Sequence, residues 1–183
     1  MSESSPIKDV LYGRIDEIGQ DQINRLILKK KFSELFEMIF DKTLYAIEAN
    51  IDENEKYGTL AESITHYLFT EMLIPSQRKI SYGNTELDMV IPNTQELKKN
   101  IENTIIVFFI KTNNMKEIQK RISEFKKIQK EDDNIWIISK SSLDIQQRSY
   151  ITNSTSFGKF LQDAQNFIQS KKMNKLNIFK TEK

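Results

Sequence analysis

Between Thr104 and Thr112 the chain reads Thr-Ile-Ile-Val-Phe-Phe-Ile-Lys-Thr. Ile105 to Ile110 are all apolar, and all are β-branched or aromatic. A short run of this kind, bounded by polar turn residues, predicts a strand buried on both faces. Helices must then cover both sides of its sheet. The run ends in Lys111, and an unpaired ammonium is expensive to bury. Lys111 therefore marks where the strand reaches solvent, or it points at a phosphate or carboxylate in a cleft.

The neighbouring stretches extend this sheet. Ile135-Trp136-Ile137-Ile138 is a second short apolar run. Residues 115–130 lie between the two runs and carry Met115, Ile118, Ile122, Phe125 and Ile128 at helical spacing. Two strands joined through a helix are expected to be parallel neighbours. Upstream, residues 77–83 and 85–91 read as a hairpin around Gly83-Asn84. On its second strand Glu86, Asp88 and Val90 should share one face, and Leu87, Met89 and Ile91 the other. Residues 59–74 form a helix that Thr59 caps, with Glu62 completing a capping box, and that Pro75 stops. Residues 94–103 read as a polar connection, and 143–150 as a short helix or irregular segment. Phe157 to Ser170 is a final helix. The expected fold is α/β: a mixed central sheet of about four strands flanked by helices, an αβββαβ core with an N-terminal helical extension.

Residues 1–19 carry only weak helical signal. Residues 20–49 hold Ile23, Leu26, Ile27, Phe32, Leu35, Phe36, Ile39 and Phe40 at three- and four-residue spacing, without Pro or Gly. This predicts a long amphipathic helix, either continuous or broken, that packs on its own domain or pairs with a second copy or another protein. The acidic stretch 51–58 is the expected boundary. The chain then divides into a helical region at 1–54, an α/β domain at 55–170 and a basic tail at 171–183.

Composition narrows the chemistry. With no Cys, disulfides, thiolate catalysis and cysteine-based zinc sites are excluded. The single His66 rules out any site needing two histidines, and it reads as a surface or half-buried residue rather than a ligand. A resident metal would be held by oxygen ligands, which points to Mg²⁺ or Mn²⁺. No apolar run approaches the roughly 20 residues needed to cross a bilayer, and no signal peptide is visible. No membrane association is expected, and the expected location is cytoplasmic. The net charge of +1 hides a local excess: seven basic against two acidic residues from Lys111 to Lys130. Lys116, Lys120, Arg121 and Lys127 are the candidate phosphate-contacting residues there. The plainer reading is a solvated lysine-rich helix face.

Glu62 on a helix, Asp88 on a strand and Lys111 at the end of the next strand can converge at one edge of the sheet. In order and spacing, and in the element order from about residue 57 to 139, this resembles the PD-(D/E)XK superfamily of restriction-endonuclease-like nucleases. Glu62 matches the helix glutamate, Leu87-Asp88 stands where the family has Pro-Asp, and Phe109-Ile110-Lys111 where it has acid-x-Lys. The resemblance implies that the strand carboxylates hold Mg²⁺ while the lysine positions the attacking water and stabilises phosphorane charge. This chain departs from the pattern at Phe109, since an aromatic ring cannot ligate a hard cation. Glu86, on the face of Asp88, is the candidate replacement ligand.

Three functions follow as expectations. One is a nuclease-fold protein of DNA metabolism, weak or inactive in catalysis, that binds DNA or a protein partner. In that case no metal is required. The second is an active Mg²⁺- or Mn²⁺-dependent deoxyribonuclease using Glu62, Glu86, Asp88 and Lys111. The third is a structural or regulatory protein that dimerises through 20–49.

Overall fold

The computed structural model describes residues 6–47 and 50–180, with side chains described as far as residue 171. Its elements are α1 (Pro6–Ile18), α2 (Gln20–Leu28), α3 (Phe32–Ala46), α4 (Glu53–Glu71), β1 (Gln77–Tyr82), β2 (Thr85–Ile91), α5 (Thr94–Lys99), β3 (Ile105–Phe109), α6 (Met115–Ile128), β4 (Ile135–Ser139), β5 (Arg148–Ile151) and α7 (Ser154–Lys180). The strands form one mixed sheet in the order β1-β2-β3-β4-β5. β1, β2 and β3 pair antiparallel, and β3, β4 and β5 pair parallel. The fold class is α/β as expected, with five strands in place of four.

The opening apolar run is the centre of this sheet, and every residue of β3 is buried. Strand alternation sends Ile105, Val107 and Phe109 into one layer and Ile106, Phe108 and Ile110 into the other. The first layer is built from α1–α4 and α7, the second from α5, α6 and the 143–145 segment. β4 divides the same way, with Trp136 and Ile138 in the first layer and Ile135 and Ile137 in the second.

The helices differ from the sequence reading at their ends. The 20–49 stretch breaks at Lys30, whose φ of 53° is left-handed. Lys31 N donates to Leu26 O at 2.9 Å and Lys30 N to Ile27 O at 2.9 Å, a Schellman ending built without glycine. Without Gly or Pro there, the sequence does not say where the break falls. The apolar stripe of α3 is covered within the chain: Phe36 stacks on Phe157 of α7 at 4.1 Å, and Leu35, Ile39 and Phe40 are buried. Residues 48 and 49, the end of the expected helix, lie outside the described residues.

α4 begins six residues earlier than expected. Asp52 caps it, accepting from Asn54 N at 2.9 Å and Glu55 N at 3.2 Å, so Thr59 lies within the helix. The boundary expected near residue 54 therefore falls in the first turn of α4. The 94–103 connection contains α5, capped by Asn93. The 143–150 segment supplies β5, a short strand at the sheet edge whose apolar content is too small to signal it. α7 carries the backbone of the expected tail to Lys180; residues 181–183 lie outside the described residues.

Candidate functional site

α4 crosses the end of β3 closely enough to touch it. A Cβ at Gly58 would meet Ile110 O, and would stand 2.7 Å from Lys111 Cγ. One turn further along α4, Glu62 points toward the sheet and is 2% exposed. Its Oε2 accepts from Lys111 Nζ at 2.7 Å and its Oε1 from Arg78 Nη2 at 2.9 Å. Glu62 is thus not a capping glutamate, and both its oxygens are engaged by cations. Burial pushes its pKa upward, but the hydrogen bonds and charges of Lys111 and Arg78 outweigh burial and hold it below the ordinary value. Lys111, with a side chain 36% exposed, gives one of its three donors to Glu62.

Asp88 sits where β2 parts from its neighbours. β2 pairs with β3 only from Met89 to Ile91. Beyond that point the Asp88 side chain takes over, with Oδ2 accepting from Phe109 N at 2.9 Å. The β1–β2 register also lapses opposite Asp88, at Lys79, whose φ of 50° is left-handed. Either side of this break the strands present different faces: Met89 packs in the first layer, Leu87 and Ile80 in the second. The expected common face for Leu87, Met89 and Ile91 is therefore broken at this point. Burial raises the Asp88 pKa, against the Phe109 N–H and the charge of Lys111.

Arg121 closes the second-layer side. Its guanidinium lies over Phe125 at 4.9 Å and Phe108 at 5.7 Å. Nη2 donates to Glu86 O at 2.6 Å and stands 3.9 Å from Asp88 Oδ1. Arg121 is therefore an inward-turned residue, unlike the outward lysines with which its sequence position groups it. Asp88, Phe109, Lys111, Thr112 and Arg121 line a cleft of about 210 Å³.

Lys111 links the other two at one end of the sheet: it touches Glu62 and lines one cleft with Asp88. Glu86 does not join them. It is exposed and accepts from the Ser81 hydroxyl on β1. Among the described residues, no group of three or more His, Asp and Glu side chains gathers to hold a cation. Phe109 is buried in the first layer. The carboxylates present are turned to Arg78, Lys111, Arg121 and a backbone N–H, so this arrangement is suited to meeting an anion at the free donors of Lys111. His66 is half-buried on α4, and burial, then Arg78, lowers its pKa.

Lys116, Lys120 and Lys127 are exposed on α6 and form no ion pair among the described residues. The sequence reading missed Gly58 and Arg78. Arg78 had one usable signal: a basic residue facing inward from a strand requires a buried acid, and Glu62 was available. No helix among the described residues is long and apolar enough to cross a membrane. Protein-family models, curated proteins and solved structures offer no match to this chain.

Proposed function

We propose that the chain is a nuclease-fold protein of DNA metabolism that acts by binding nucleic acid rather than by cutting it. The observation that carries this reading is Glu62, clasped by Arg78 and Lys111 beside a buried Phe109. In the PD-(D/E)XK pattern the position of Phe109 carries a strand carboxylate for a hard cation, and that of Glu62 carries the helix glutamate. Here one is apolar and the other is neutralised by protein cations. The binding surface is the outer ridge of α6, where Lys116, Lys120 and Lys127 have no ion-pair partner among the described residues and can contact phosphates.

Fluorescence anisotropy with duplex, branched and single-stranded DNA tests the reading. Affinity should fall steeply with salt, and Lys116→Glu with Lys120→Glu should weaken every DNA form and flatten the salt slope by about two units. The absence of binding to any form at low salt would remove this function.

The convergence of Glu62, Asp88 and Lys111 favours one alternative, a Mg²⁺- or Mn²⁺-dependent deoxyribonuclease. Metal-dependent cleavage that disappears in both Asp88→Ala and Lys111→Ala would establish it and overturn the binding-only reading.

A further inference from the structure

Two glutamines are fully or almost fully buried, and they differ in what they do. Gln129 is satisfied on both sides of its amide: Nε2 donates to Ile101 O at 3.0 Å and Thr104 O at 2.9 Å, while Oε1 accepts from Glu131 N at 3.0 Å. Gln147 is 7% exposed, and its side chain makes no hydrogen bond among the described residues. Its amide atoms still reach water, which a ligand at the cleft would replace. Its amide is not sealed off in the way Thr152 Oγ1 is. It borders a cleft of about 270 Å³ between α6 and the 144–147 segment.

We propose that this cleft takes an unpaired nucleobase from a single-stranded polynucleotide, with Gln147 hydrogen-bonded to the edge of the base. The proposal rests on the nucleic-acid reading above. An amide presents a donor and an acceptor side by side, the complement of a base edge; adenine offers the best bidentate match. Ile122 and Ile145 supply apolar walls for the faces of the ring. Asp144 is an exposed carboxylate at the cleft, placed to accept from an exocyclic amino group. The volume is below that of a pocket for a drug-sized ligand and suits a single splayed base.

The surroundings favour a nucleic acid over a peptide. Gln119, Ser123 and Lys126 of α6 line the cleft. Lys126 is already paired with Asp132 at 2.8 Å. On a helix, positions 116, 120 and 127 form a stripe directly beside positions 119, 123 and 126. A phosphodiester backbone following the unpaired Lys116, Lys120 and Lys127 therefore runs along the mouth of the cleft, within reach for one base to turn in. A neutral peptide has no use for that ridge.

The test uses the full chain and two labelled strands of about 12 nucleotides, one of mixed sequence and one fully abasic. Gln147→Leu removes the amide. Ser123→Trp fills the cleft from an exposed position, where folding is not at stake. Each should weaken the mixed strand by roughly three- to tenfold, the scale of one neutral hydrogen bond, and leave the abasic strand unchanged. The Gln147 side-chain amide NMR signal should shift with the mixed strand and not with the abasic one. If neither variant changes the preference for the mixed strand, the cleft proposal fails while the lysine ridge stands. If the unmodified chain binds neither strand, the nucleic-acid reading fails and the cleft proposal with it. A Gln147 signal that moves with a capped glutamine peptide and not with the strands assigns the cleft to a protein partner and overturns the base.

Discussion

Glu62 keeps its charge because Arg78 and Lys111 stand against it at 2.9 and 2.7 Å. Replacing it with an uncharged isostere leaves two cations facing each other across a buried gap. Glu62→Gln should cost about 2–3 kcal/mol in chemical denaturation, less than for a fully buried pair because both partners still reach water. The pKa of Glu62 is depressed below 4.5 on folding. Its contribution to stability is therefore complete above that value and is lost as pH falls through the depressed one. The gap between wild type and Glu62→Gln should narrow below about pH 4, and an unchanged gap would place the charge elsewhere. Asp88 behaves with the opposite sign. Burial raises its pKa above 3.8, so the folded state holds that proton more tightly and stability declines as pH climbs through the raised value. Asp88→Asn keeps an oxygen for Phe109 N–H and removes the charge. It should be at least as stable as wild type at pH 7, with the difference vanishing in acid. A clear loss at pH 7 would mean that the carboxylate charge, not only its hydrogen bond, holds β2.

At the scale of elements, close contacts decide where helices run. α4 lies on β3 because Gly58 has no side chain to strike Ile110 O. Helix propensity alone favours alanine over glycine by about 1 kcal/mol. The close contact predicts the reverse, with Gly58→Ala destabilising by about 1–3 kcal/mol through displacement of α4 from the strand. A thermal midpoint that rises would show that the contact relaxes freely. The same variant should disturb the Glu62–Lys111 pair, which lies one turn away on the same helix. The strand break at Lys79 and Asp88 has a comparable effect: across it Leu87 lies in the layer of α6 while Met89 stays in the layer of α4. Period-two reading assumes an unbroken strand, so it assigned that face incorrectly.

For the whole molecule, the first layer joins parts far apart in the chain. Ile7, Leu11 and Ile15 of α1, Phe36 of α3, and Phe157 and Ile168 of α7 share one buried cluster with Phe109 and Trp136. A chain beginning at Glu55 strips α1–α3 from that layer. It should lose sharp cooperative unfolding by circular dichroism and bind a hydrophobic dye. Cooperative unfolding of that shortened chain would support the sequence-based boundary at 54/55. Residues Ile105 to Ile110, Ile135 to Ile138 and the stripe of α6 determined by themselves that a buried sheet with helices on both faces would form, because short apolar runs and helical periodicity are local and have few other solutions. The approach of Glu62, Asp88 and Lys111 to one end of the sheet was also legible, since strand order and spacing imply it. Only the tertiary structure decided what those groups do there. That Arg78 clasps Glu62, that Arg121 turns inward over Phe108 and Phe125, and that Gln147 has no side-chain hydrogen bond among the described residues while Gln129 has several depend on which side chains from distant segments share a buried space. A charge or an amide in a sequence has no partner until packing supplies one, and removal from water then sets its role.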